Sequence, residues 1–222
     1  MCHESMNSKQ MERTISDPYV GSQTTRKGIL LMAGALLWFF AELLFISLGL
    51  STGPPDRRPV VVEVGSAITL MIPQLCYLIG LPALYEVGAI SRKWPVRFAQ
   101  AAIVVYTLPF LAAMLMKSGV SGAGRNPVLF LLPLGLVLIA ISMTIVGLAV
   151  RKTRVWTDWR QYTPFAVGWF PVGLMLPLAA IYGKPDYMLV AVWGLTWFLL
   201  GLAIYKSGQR TSREAMIVSS QS

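Results

Sequence analysis

Glu42 is the residue whose chemistry stands out most against its surroundings: it is a carboxyl group inside a run, Gly28 to Leu50, with no other acid or base. If that run is a helix in lipid, Glu42 lies about 21 Å from its start at 1.5 Å per residue, in the half of the core farther from that end. An acid at the centre of such a helix costs about 3 kcal/mol to insert, and each Leu, Ile, Phe or Val returns about 0.3 to 0.6 kcal/mol. The run is rich in these residues and still inserts. A carboxyl group so placed is expected to face other helices, where it either finds hydrogen-bond donors or keeps its proton. The chemistry within its reach is binding of a polar small molecule, proton carriage, or a clasp between helices.

Matching depth across the other apolar runs brings five polar side chains toward Glu42: Thr69 and Gln74, Tyr106 and Thr107, and Thr196. None of them is a cation. Together with Glu42 they are the expected ligand-binding set. A second cluster joins Arg151, Lys152, Arg154 and Arg160 to Trp156 and Trp159. Basic side chains meet anionic lipid and indole rings settle at headgroup level, so this cluster is expected to anchor the chain at a lipid interface. A third feature is the series Pro164, Pro171 and Pro177 with Gly168 and Gly173, which should bend one helix. Prolines and glycines are common in membrane helices, so the series does not by itself mark a cavity. Gly194 and Gly201, seven residues apart, read as a close-packing face.

Several chemistries lack their residues. His3 is the only histidine, so neither a bis-histidine haem site nor a histidine-based zinc site can be assembled within one chain. There is no base for a serine or cysteine nucleophile, no glycine-rich phosphate loop and no metal-ligand spacing, so neither an enzyme nor a cofactor or metal site is expected. Cys2 and Cys76 are too few for a disulfide framework, and Cys76 reads as a small buried apolar side chain. The basic residues are scattered without a stacking platform, which argues against nucleic acid.

The elements that must position these groups follow from composition. Apolar residues make up 55% of the 222 and charged residues only 13%, about half the share usual in a soluble domain. A bilayer core about 30 Å thick needs roughly 20 apolar residues per helix. Six runs qualify: Gly28 to Leu50, Val64 to Tyr85, Phe98 to Met116, Pro127 to Val150, Gln161 to Gly183 and Tyr187 to Tyr205. They are too long for strands and lack barrel alternation, so the expected fold is all-α, a polytopic bundle of six transmembrane helices occupying residues 28–206. The tails, 1–27 and 207–222, are polar, unpatterned and expected to be disordered. The first run is longer than the apolar stretch of a signal peptide, and no small-residue cleavage pattern precedes Pro54, so it is taken as a retained anchor.

Counting Lys and Arg on alternate sides sets the orientation. Fourteen of the nineteen fall on the side of both tails and of the loops holding Arg92, Lys93 and Arg97 and then Arg151 to Arg160; Arg57, Arg58, Lys117, Arg125 and Lys184 fall on the other. Both termini are therefore expected in the cytoplasm, in a plasma or inner membrane, with anionic headgroups as partners on that side; homo- and hetero-oligomers both remain compatible.

Related wording ends the second, fourth and sixth runs (Gly80-Leu81, Gly147-Leu148, Gly201-Leu202), and Gly53 to Asp56 rhymes with Gly183 to Asp186 and loosely with Gly124 to Pro127. Three successive hairpins would produce this and would resemble the parallel repeats of some transporters; interfacial preference for the same residue types would also. A retinal protein resembling the microbial rhodopsins would need a lysine in its last helix, whereas every lysine lies outside the runs. The proline, acid and base signature of mitochondrial carriers is missing from the odd helices. The leading functional expectation is binding or transport of a small molecule at a polar pocket around Glu42; the alternative is a non-catalytic accessory or assembly subunit of a larger membrane complex.

Overall fold

The computed structural model describes residues 18–49, 60–115, 131–183 and 186–219. The described chain is helical: α1 (Pro18–Ser47), α2 (Val60–Gly80), the single turn α3 (Ala83–Glu86), α4 (Trp94–Leu115), α5 (Leu131–Thr153), α6 (Thr163–Phe170), α7 (Leu176–Tyr182) and α8 (Tyr187–Ser219). A 3-10 turn, Trp159–Tyr162, leads into α6, and a π turn, Pro171–Met175, joins α6 to α7. Six segments of 19 to 27 residues are long and apolar enough to cross a membrane. Cys2, His3, the far loops with Arg57, Arg58, Lys117, Arg125, Lys184 and their rhyming Gly-Pro-Asp wording, and the start of the fourth run lie wholly or partly outside the described residues.

The helices form a ring in chain order, α1 to α2, α4, α5, α6 and α8, and α8 closes back on α1 along the most extensive seam. Glycines set four of the six seams. On α8, Gly194, Gly201 and Gly208 repeat every seven residues, the spacing that keeps one helix face on its partner. A Cβ added at Gly201 would lie 2.9 Å from the Met32 nitrogen, and one at Gly28 would lie 2.7 Å from the Tyr205 nitrogen, so these backbones touch. Gly34 admits Cys76 of α2, Gly135 admits the Tyr106 backbone, and Gly147 and Gly168 admit Phe165 and Ala140 across the α5–α6 seam. Close backbone approach of this kind is how helices gain dispersion energy where burial against lipid offers little.

The remaining two seams are joined by side chains that fill carbonyls left open by proline. Pro82 has no N–H for the carbonyl of Leu78, and Gln100 of α4 donates to it at 2.8 Å. Pro171 likewise leaves the carbonyl of Val167 open, and the Trp193 indole of α8 donates to it at 2.9 Å. Within the fifth segment the Arg160 carbonyl, which Pro164 cannot serve, accepts both the Thr163 N–H and, at 2.8 Å, the Thr163 hydroxyl. The bend expected from the proline series is therefore a π turn with its freed carbonyl bonded to a neighbouring helix.

The helical ends reach further than the sequence alone implies. α1 starts at Pro18 and α8 runs to Ser219, where unpatterned tails to residue 27 and from residue 207 are expected. The reason is mutual support: Gly21 faces Ser212 and Gly208 faces Thr25 at backbone-contact distance, so the pair continues past the apolar stretch. At that end Lys27 pairs with Glu86, Lys93 lies 5.0 Å over the Tyr85 ring, and Lys206 lies 5.7 Å over the Trp159 ring. These contacts gather the basic tails and loops at one end of the bundle, here called the basic end.

Candidate functional site

A ring of six helices leaves its middle open unless large side chains fill it, and aromatic residues do so here. α1 presents Trp38 and Glu42 one turn apart on a single face. α4 contributes Tyr106, α8 contributes Trp193 and Trp197 one turn apart, and α2 contributes Gln74 and Tyr77. Trp38, Tyr106 and Trp193 close a triangle with centroid separations of 6.4, 6.0 and 5.8 Å; both pairs involving Trp193 are edge to face. Beneath it, Tyr77 stacks flat on Trp197 at 4.2 Å with planes 4° apart. Four helices, α8, α1, α2 and α4, which follow one another around the ring, thus also meet in its interior through five aromatic rings.

Glu42 lies one turn farther from the basic end than Trp38, and Trp197 lies one turn nearer to it than Trp193. The triangle and then the stacked pair therefore separate Glu42 from the basic end. Glu42 is 5% exposed, and no described residue donates a hydrogen bond to its carboxyl group. Tyr106 lies within electrostatic reach of it. Gln74 is 2% exposed, and among the described residues its amide has no hydrogen-bond partner.

The indoles divide into two kinds. Trp38 donates to the Val190 carbonyl at 3.0 Å and Trp193 to Val167 at 2.9 Å, which locks both rings to helix backbone. The Tyr77 hydroxyl and the Trp197 Nε1 are fully buried with no partner. Buried polar groups are nearly always bonded, and among the described residues the fully buried exceptions are the Trp156 Nε1 and the two donors that meet in the stacked pair, the Tyr77 hydroxyl and the Trp197 Nε1.

Of the six expected ligand-binding residues, Glu42, Gln74 and Tyr106 are buried in the bundle. The three threonines direct their hydroxyl protons to their own helices: Thr69 to Gly65, Thr107 to Ile103 and Thr196 to Trp193, at 2.7 to 2.8 Å. Trp38, Tyr77, Trp193 and Trp197 were not marked by sequence reasoning. Their signal is an aromatic residue one helical turn from an acid, an amide or another aromatic, which is faint in so apolar a chain.

In the basic cluster Arg151, Lys152, Arg154 and Trp159 are exposed. Arg160 is held by Asp158 at 2.9 Å and donates to the Ser207 hydroxyl at 3.1 Å. The Asp158 carboxyl sits below the ordinary aspartate range, chiefly because the Arg160 side chain hydrogen-bonds to it. Trp156 is a correction to the expected set. It is 1% exposed and belongs to the apolar core, so it cannot settle among headgroups. The chain turns at Arg154, whose φ of 56° is left-handed, and Trp156 enters the core two residues later.

Among the described residues no group of His, Cys, Asp and Glu is arranged to hold a metal ion. The arrangement offers one buried carboxyl group a helical turn from a cluster of aromatic rings, and an organic cation gains from both a ring quadrupole and a negative charge. No family model matches the chain, nor does any curated protein or solved structure.

Proposed function

We propose that the chain is a multi-pass membrane protein that binds or moves a small molecule at the polar, aromatic interior around Glu42. The observation that carries the reading is the Glu42 side chain: it is buried, lies one helical turn from Trp38 on α1, and lacks a donor among the described residues. A helix clasp would have spent that carboxyl group on a neighbouring helix. The ligand class that suits the interior is a small organic cation, since its charge would meet Glu42 and its flanks the Trp38 and Tyr106 rings.

Membrane placement draws support from the outward faces, where Phe40, Leu44, Ile141, Leu148 and Trp169 are all exposed. Large apolar side chains exposed on several helices are what a membrane-facing surface presents. The gathered basic end argues for both termini in the cytoplasm of a plasma or inner membrane, with anionic headgroups on that side. A ring of helices in chain order is also the arrangement three successive hairpins would give.

The test is ligand-dependent stabilisation and vesicle uptake of organic cations by wild type, Glu42→Gln and Glu42→Leu. Wild type should be stabilised and both variants should lose that response while remaining folded. Unchanged binding, uptake and stability in all three would overturn the reading.

One observation favours the accessory-subunit alternative. The fifth segment is the least covered by the rest of the chain, and Trp169, Ile181 and Tyr182 are strongly exposed along it. A partner's helix would fit there. Native purification in mild detergent separates the two, because a subunit co-purifies with a defined partner and a self-sufficient binder runs alone or with copies of itself.

A further inference from the structure

The basic end contains a second candidate site, unconnected with Glu42. α2 stops at Gly80 because Pro82 cannot continue its hydrogen bonding, and the chain then makes the single turn α3 before re-entering as α4 at Trp94. Between that turn and the start of α4 is an open cavity of about 230 Å³ lined by Tyr85, Glu86, Lys93, Arg97 and Gln100, with Pro82 and Val96 as its apolar walls. We propose that this cavity binds the phosphate of an anionic lipid headgroup from the leaflet at the basic end.

Charge is the first argument. Glu86 would oppose an anion, but it is already paired with Lys27 and accepts a hydrogen bond from the buried Thr24 hydroxyl at 3.5 Å. Lys93 immediately precedes α4 and Arg97 lies in its first turn, with the Arg97 N–H bonded to the Lys93 carbonyl at 3.1 Å. Among the described residues neither has an acidic partner; Lys93 meets only the face of Tyr85. The lining therefore presents an ammonium and a guanidinium, with the acid neutralised from behind. Arginine adds a planar fork of donors that matches phosphate oxygens.

Rigidity is the second argument. Gln100 is fixed by its bond to the Leu78 carbonyl, which joins α4 to the end of α2 and leaves a second amide N–H beside Arg97. Tyr85 rises from the short α3 turn with Lys93 over its ring, so the two walls already face each other across the cavity.

Position favours a lipid over free phosphate. The cavity opens where α2 and α4 meet the basic end, and both helices carry exposed apolar side chains away from it: Leu75 and Ile79 on α2, Val104 and Leu108 on α4. Acyl chains can follow that flank while the phosphate stays at the mouth, and Trp94 stands half exposed at headgroup depth beside it. This site depends on the membrane placement proposed above but not on any ligand at Glu42.

The experiment measures phosphatidylglycerol bound to the delipidated full chain, by native mass spectrometry and by thermal stabilisation in zwitterionic micelles. At about 1 kcal/mol per basic contact, Lys93→Ala or Arg97→Ala should weaken binding about fivefold and the double variant about thirtyfold. The pair Arg151→Ala and Lys152→Ala removes equal charge from the same end outside the cavity and should leave specific binding in place. Equal loss in both pairs would mean general surface attraction and overturn the proposal. Phosphatidylcholine should not substitute. Displacement of the lipid by millimolar inorganic phosphate would overturn the assignment to a lipid in favour of a soluble phosphate.

Discussion

Trp193 donates its indole N–H to the carbonyl of Val167, the acceptor that Pro171 leaves without an intrahelical donor. Two departures from helix regularity, a proline in the fifth segment and a bulky indole in the sixth, are thus the two halves of one bond. A carbonyl left open in a buried seam has no water to turn to, so the pairing joins the α6–α8 seam and places Trp193 in the aromatic triangle. Removing the donor with Trp193→Phe should cost about 1 kcal/mol beyond the loss of ring volume. Restoring an intrahelical donor with Pro171→Ala should make that extra cost vanish. A double-mutant cycle on unfolding in micelles measures the coupling, and additive effects would show that the two residues act independently.

The α1–α8 seam makes a sharper steric prediction. A side chain at Gly28 or Gly201 meets backbone of the opposite helix, which cannot swing aside. Gly28→Val and Gly201→Leu should each destabilise the protein by about 3 kcal/mol or prevent accumulation of folded protein. Gly65→Ala is the control, because a Cβ there meets nothing within 4 Å. Alanine also has the higher helix propensity, so that variant should be neutral or up to about 1 kcal/mol more stable. Thermal melts in one detergent rank the three.

Much of this architecture is legible in the chain because a helix long and apolar enough to cross a membrane shows two simple marks, length and absence of charge. The six long apolar segments and the gathering of Arg92, Lys93, Arg97 and Arg151 to Arg160 at one end follow from those marks. The helical extensions at Pro18–Lys27 and Ser207–Ser219 do not, because they depend on Gly21 and Gly208 meeting partners near the opposite end of the chain. The candidate site divides the same way. Glu42 announces itself by its charge, and Gln74 and Tyr106 by polarity at a matching depth. Thr69, Thr107 and Thr196 look equally eligible in the sequence, yet a threonine in a helix has a carbonyl of its own preceding turn within reach, and all three hydroxyls bond there. Trp38, Trp193 and Trp197 look like ordinary apolar filling until the ring of helices brings them together.

The Asp158–Arg160–Ser207 link should be sensitive to acid. Asp158 has a lower pKa folded than the ordinary aspartate value of about 3.9, so its stabilising contribution is complete above that value and is lost as pH falls through the folded one. Its side chain is nearly half exposed, which keeps the effect small. Hydrogen exchange across residues 157–162 should quicken in strong acid, and Asp158→Asn should show the quickened rate already at neutral pH. No difference between the variant and wild type at neutral pH would mean that Ser207 alone holds Arg160.

The orphaned donors near the stacked pair give the prediction that bears most directly on function. Trp38 and Trp193 have backbone acceptors, whereas the Trp197 Nε1 and the Tyr77 hydroxyl have none. Replacing each indole with Phe removes a similar volume, so the cavity cost is shared and the difference isolates the hydrogen bond. In ligand-free protein Trp197→Phe should be milder than Trp38→Phe and Trp193→Phe by about 1 kcal/mol, and Tyr77→Phe should be neutral or stabilising, because a buried hydroxyl without a partner is a liability. If these donors are kept for a bound molecule, Tyr77→Phe and Trp197→Phe should reduce ligand-dependent stabilisation while leaving the empty protein intact. Losses of empty-state stability equal to that of Trp193→Phe would instead mean that water or lipid satisfies them, and the interior would then be structural at that depth.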